Sequence, residues 1–266
     1  MNFLSQRQQR SLKVLAMPRR RNRYVVMALC VWFGLATLFF VWCGLQNNQF
    51  VSQLQQSRSQ LSGVFKAAPV QFKVAKDTGD TAATVTALRN LSATISQNIK
   101  SLPTELQVFG LHVGADAERA RRYNLQEAAQ GYVIRLNELA EFVAYQSAIA
   151  RQLQELSLQD VSGYSQTIDL ANSWQAAMQK VQNESKPALM TDVIATLLQK
   201  MGTIEATIRE MAELYKKSDT DGFKAKQAQL AATIAEFKAI GTQIETLGAQ
   251  LDAQLAAASA KLQQNL

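Results

Sequence analysis

Apolar and polar positions along this chain follow two regimes. Over 24–45 the sequence YVVMALCVWFGLATLFFVWCGL runs 22 residues without a charge. Beyond it, apolar residues recur alternately three and four positions apart, the spacing of one helix face. The first regime predicts a membrane-spanning helix, the second an all-α domain.

At about 1.5 Å per residue, the uncharged segment as a helix is about 33 Å long, slightly more than the roughly 30 Å hydrocarbon core. It holds eleven Leu, Val or Phe residues. At about −0.3 to −0.6 kcal/mol each, these favour insertion by roughly 3–7 kcal/mol. A buried core helix would need a polar stripe at helical spacing, and Thr37 alone does not make one. The run exceeds the roughly 7–15 apolar residues of a signal peptide, and no small-x-small site follows closely, so an uncleaved signal anchor is expected. Trp42 stands where a lipoprotein site at Cys43 needs a small residue.

In the second regime the clearest stripe is Met190, Ile194, Leu197, Met201, Ile204, Ile208, Met211 and Tyr215, every step of which fits a heptad. Leu230, Ile234, Phe237, Gly241, Ile244, Gly248, Leu251, Leu255, Ala258 and Leu262 repeat it. Between them KKSDTDG offers basic residues to one helix end and Asp and Thr caps to the next, which predicts an antiparallel hairpin. Upstream, 116–158 reads as one long helix along Tyr132, Leu136, Leu139, Val143 and Leu153, ended by the turn QDVSG. Ile168, Ala171, Trp174, Met178 and Val181 mark another, and Pro187 either kinks a helix over 164–216 or divides it. Length favours the kink: a last helix over 222–265 reaches about 65 Å, and a partner limited to 188–216 covers only about 43 Å of it. Val85, Leu88, Ile95, Ile99 and Leu102 place a shorter helix at 80–102. Phe50, Leu54, Leu61 and Phe65 extend the membrane helix outward as a stalk, 66–80 reads as a linker, and 101–116 as a loop.

The expected architecture is therefore all-α: one N-terminal transmembrane helix, then an extracytoplasmic antiparallel bundle of three long helices plus a shorter one. The division is a basic cytoplasmic tail (1–23), the transmembrane helix (24–45), a juxtamembrane stalk and linker (46–79) and the bundle (80–266). Charge adds orientation. The chain has 28 basic and 21 acidic residues, and the whole excess of seven lies in Arg7, Arg10, Lys13, Arg19, Arg20, Arg21 and Arg23. Basic residues beside a span resist translocation, so these hold the tail in the cytoplasm and place the C-terminal domain outside. They are also suited to anionic lipid. The remainder is balanced, so the basic excess gives no support to nucleic-acid binding. Both cysteines, Cys30 and Cys43, fall inside the span, about 20 Å apart as a helix, which excludes a disulfide framework.

Candidate chemistry is sparse. His112 is the only histidine, so no multi-histidine metal site is available from one chain. Asp116, Glu118 and Glu127 lie near Arg119, Arg121 and Arg122, an alternation that reads as a solvated helix face rather than an acid–base pair. Gly241 and Gly248, seven apart on the last stripe, are candidates for close packing or for a partner groove, since helical glycine costs about 1 kcal/mol relative to alanine. Tyr132, Tyr164 and Trp174 read as core or half-buried aromatics, and Met178, Met190, Met201 and Met211 as core filling. Asn90-Leu91-Ser92 and Asn183-Glu184-Ser185 match glycosylation sequons. No nucleophile–base pair, metal set or phosphate loop is present, so no cofactor is expected. The reading is a non-enzymatic, single-pass membrane protein whose helical bundle acts in the cell envelope as scaffold or adaptor for a protein partner, or self-assembles. A 23-residue tail is short for a signalling domain. The alternative is a ligand-binding sensor bundle, with a pocket near Trp174, Tyr132 or the glycines, acting through a separate membrane protein.

Overall fold

The helix-forming composition and three-four spacing produce an almost wholly helical chain. The computed structural model describes residues 5–77, 80–104, 107–108, 111–112, 116–154, 156 and 163–266, with backbone alone for 5–26, 69–77, 107–108 and 111–112. Among these, the helices are α1 (Ser5–Asp77), α2 (Thr81–Lys100), α3 (Asp116–Gln154), α4 (Tyr164–Asn183), α5 (Thr191–Lys216) and α6 (Thr220–Asn265). A 3-10 turn, Ala188–Met190, precedes α5, and two-residue strands β1 (Gln107–Val108) and β2 (Leu111–His112) lie between α2 and α3.

Two compact units divide the chain, 1–56 with 102–122 and 57–101 with 123–266. In the first, α1 carries the apolar segment and then buries Phe50 and Leu54. The expected loop at 101–116 contains an antiparallel ladder, Gln107 opposite His112 and Val108 opposite Leu111. Two residues per strand leave no alternation for a sequence to display. The Nε of Arg122 donates to the Pro103 carbonyl at 2.8 Å, tying the start of α3 to the segment before the ladder.

The second unit begins within α1, where the expected linker at 66–80 is corrected: the helix runs on to Asp77, past Pro69. It likewise passes Pro18. An interior proline costs about 3 kcal/mol, but Ala, Lys and Gln flanking Pro69 are strong helix formers. The helix α2 starts where the Asp80 carboxylate accepts the amides of Ala82 at 2.8 Å and Ala83 at 3.2 Å. This cap satisfies two of the amides that a helix start leaves open. The expected turn at 159–163 lies outside the described residues except for Gly163, which precedes α4 in extended backbone.

The expectation of a continuous helix over 164–216 is also corrected. The helix α4 ends at Asn183, Glu184 turns extended at ψ 145°, and Pro187 (φ −60°, ψ 136°) leads into the 3-10 turn. Proline disfavours helical backbone at the residue before it, and here the chain reverses. Arg209 of α5 bonds Asn172 and Gln175 of α4 at 3.1 and 3.0 Å, and Lys216 lies over the Tyr164 ring. Positions thus rise on one helix as they fall on the other, so the pair is antiparallel, and among the described residues five helices follow α1 rather than four. The hairpin of α5 and α6 is antiparallel too, with Lys200 paired to Glu236 and Glu210 to Lys226. Asp219 caps α6 by accepting the Gly222 amide at 2.9 Å.

A different helix, α3, covers the end of α6, so no continuous partner over 164–216 is needed. Lys261 of α6 pairs with Glu127 of α3 at 2.8 Å, and Gly248 lies against Phe142 of α3. The distal half of α6 therefore runs antiparallel to α3, with Leu251 and Leu262 buried. The core gathers Phe142, Tyr145 and Ile149 of α3 with Trp174 of α4, the α5 stripe, and Leu230, Ile240 and Leu251 of α6. From Met190 to Met211 every named α5 stripe residue is buried, whereas Tyr215 is exposed.

Candidate functional site

Among the described residues, one helix near the N-terminus is long and apolar enough to cross a membrane, and none of its apolar window is buried. Every Trp, Phe and Leu from 27 to 45 is exposed, up to 73% for Phe40. A water-facing sleeve of this kind is far larger than the scattered apolar residues normal on a soluble surface. The Thr37 hydroxyl donates to the Phe33 carbonyl at 2.8 Å, so this hydroxyl in the middle of the segment is satisfied without water. Arg7, Arg10, Lys13, Arg19, Arg20, Arg21 and Arg23 lie on the preceding turns of the same helix.

The two glycines have different surroundings. A Cβ on Gly248 would meet the Phe142 ring at 3.2 and 3.3 Å, while at Gly241 it would meet nothing within 4 Å. The seam shifts at that point, because Ile240 is buried and Gly241 exposed. Gly241→Ala is therefore expected to stabilise the fold by about 0.5–1 kcal/mol through helix propensity. Gly248→Leu is expected to cost about 1–3 kcal/mol by overpacking. Urea midpoints of the two variants check both signs.

Trp174 and Tyr132 are each 4% exposed, Tyr164 38%. The Trp174 ring meets Phe237 edge-on at 5.9 Å, and Tyr132 meets Phe65 at 5.7 Å. The Trp174 Nε1 is buried without a hydrogen-bond partner. Burial raises the Tyr132 phenol above its ordinary 10.0. Tyr145, whose hydroxyl donates to the Val181 carbonyl at 3.4 Å, is raised by burial first and then by the Glu184 carboxylate. As pH climbs beyond 10 the unfolded chain gives up these protons before the folded one does. Their contribution is thus complete below pH 10 and lost as pH rises towards the elevated values. Replacing both by Phe is expected to flatten the fall of urea midpoint between pH 9 and 11.

The acid–arginine alternation at the start of α3 is occupied by its own pairs: Asp116 with Arg119, and Glu118 with Arg121 at 2.8 Å. Asp116 is 91% exposed in its side chain, the setting of a solvated ion pair. His112 stands on β2. Met190, Met201 and Met211 are buried and Met178 packs against the core. Among the described residues no group of three or more His, Cys, Asp or Glu is placed to hold a metal. Asn90 is exposed on α2, and Asn183 is exposed at the end of α4.

A cleft of about 480 Å³ lies where sequence reasoning placed nothing, between the first half of α2 and the later part of α3. Thr81, Val85 and Arg89 line it from α2, and Ala144, Ala148 and Arg151 from α3. The available signal was small residues at helical spacing ending in an arginine on each helix, but nothing in the sequence pairs these two stretches. The chain matches no protein-family model, no curated protein and no solved structure.

Proposed function

We propose that this chain is a non-enzymatic, single-pass membrane protein with its basic tail in the cytoplasm and its helical bundle outside. The bundle serves as a scaffold or adaptor for a protein partner in the envelope, or for self-assembly. The exposed apolar sleeve at 27–45 supports the anchoring, and the basic residues before it support the orientation.

The observation that carries the scaffold reading is the uneven covering of α5 and α6. Of 26 residues in α5, eight are buried, whereas α6 buries only five of 46. Ile234, Phe237, Ile244 and Leu247 are only partly buried. A long helix with a half-covered apolar seam is the element on which another helix packs. Large apolar residues exposed elsewhere in the bundle, such as Ile134 and Leu189, stand on separate elements.

Photo-reactive residues at the exposed positions Thr242 and Glu245 of α6 test this in native membranes. The expected result is a discrete adduct with one recurrent envelope protein or with a second copy. Adducts within the chain only, from both positions, would contradict the reading. The α2–α3 cleft favours the second reading, a ligand-binding sensor bundle acting through a separate membrane protein.

A further inference from the structure

We propose that the cleft between α2 and α3 binds a small polyanion, a compound of metabolite size bearing carboxylate or phosphate groups, between Arg89 and Arg151. This stands independently of the scaffold reading.

The arginines themselves point to it. Arg119, Arg121, Arg135 and Arg209 each pair with a carboxylate, and Arg122 donates to a carbonyl. Arg58, Arg89 and Arg151 have no such partner among the described residues, and two of these three line one cleft. The guanidinium fork matches carboxylate and phosphate oxygens two at a time. The walls are Ala144 and Ala148 on α3 and Ala82, Val85 and Thr86 on α2. The hydroxyls of Thr81 and Ser147 line the cleft as further donors.

The start of α2 is not the attraction: Asp80 also lines the cleft, and its carboxylate already accepts the Ala82 and Ala83 amides, so the attraction comes from the two arginines against that one negative charge. Nor does a partner helix suit the space. A helix about 10 Å across lying along the roughly 12 Å from 81 to 89 would occupy about 940 Å³, roughly twice the cleft. A volume near 480 Å³ lies in the range of small-molecule sites. The walls favour a ligand with anionic groups at separate points and a compact middle.

The test is calorimetric titration of the full chain in zwitterionic lipid nanodiscs, with citrate and inorganic pyrophosphate at constant ionic strength. Saturable binding of at least one is expected, and the tighter of the two names the anionic group. Arg89→Ala and Arg151→Ala should each weaken it at least tenfold, and Arg58→Ala should leave it unchanged. Ala148→Trp, which fills the cleft with both arginines in place, should abolish it while the circular dichroism stays that of the parent. No saturable heat with either anion would overturn the proposal. So would binding that survives the Arg89→Ala/Arg151→Ala double variant, or a loss in Arg58→Ala equal to theirs.

Discussion

Ile204→Asp is expected to abolish cooperative folding of the bundle. Ile204 is 0% exposed at the centre of α5, the helix that packs against both α4 and α6. Truncating a buried isoleucine alone costs about 2–5 kcal/mol. A carboxylate there adds the cost of burying an unpaired charge or of holding it neutral. Together these approach the whole stability of a typical domain, about 5–15 kcal/mol. Ile134→Asp is the matched control, since Ile134 is 53% exposed and surface changes stay within about 0.5 kcal/mol. Circular dichroism of both variants across a urea series checks this. A cooperative transition in Ile204→Asp at the midpoint of Ile134→Asp would mean that α5 is not the central helix.

The second large effect concerns anchoring. Leu35→Asp with Leu38→Asp places two carboxylates near the middle of the apolar segment. At about 2.5–3.5 kcal/mol each they cost about 5–7 kcal/mol, against the roughly 3–7 kcal/mol that the segment's Leu, Val and Phe supply. The protein should move from the carbonate-resistant membrane fraction to the soluble or aggregated one. Gln53→Asp with Gln56→Asp, at exposed positions of the same helix beyond the segment, should leave fractionation unchanged. Retention of the first variant in carbonate-washed membranes would show that something other than this segment holds the protein there.

Helix existence was legible wherever a stripe was long. The heptad of α5 is buried from Met190 to Met211, and Asp219 caps α6 from within the KKSDTDG turn. The misreadings came from prolines and partners. Pro187 was weighed against helix length, yet the length was made up by α3, through Gly248–Phe142 and Lys261–Glu127, contacts that join residues more than a hundred positions apart. The stretch 66–80 reads as a linker, yet strong helix formers carry α1 past Pro69 to Asp77. The same limit hid the cleft: Arg89 and Arg151 each look like an ordinary surface arginine until α2 and α3 are brought together.

The central claim is a membrane anchor with the bundle on its far side, and cysteine accessibility tests it most directly. Both native cysteines lie in the apolar segment, so replacing Cys30 and Cys43 by Ala leaves a cysteine-free background. Single cysteines are then placed at Gln254, exposed on α6, and at Ser11 in the basic tail. In sealed right-side-out membrane vesicles, a membrane-impermeant maleimide should label Gln254→Cys at once and Ser11→Cys only after lysis. Labelling of Ser11→Cys at once, with Gln254→Cys protected until lysis, would contradict the account.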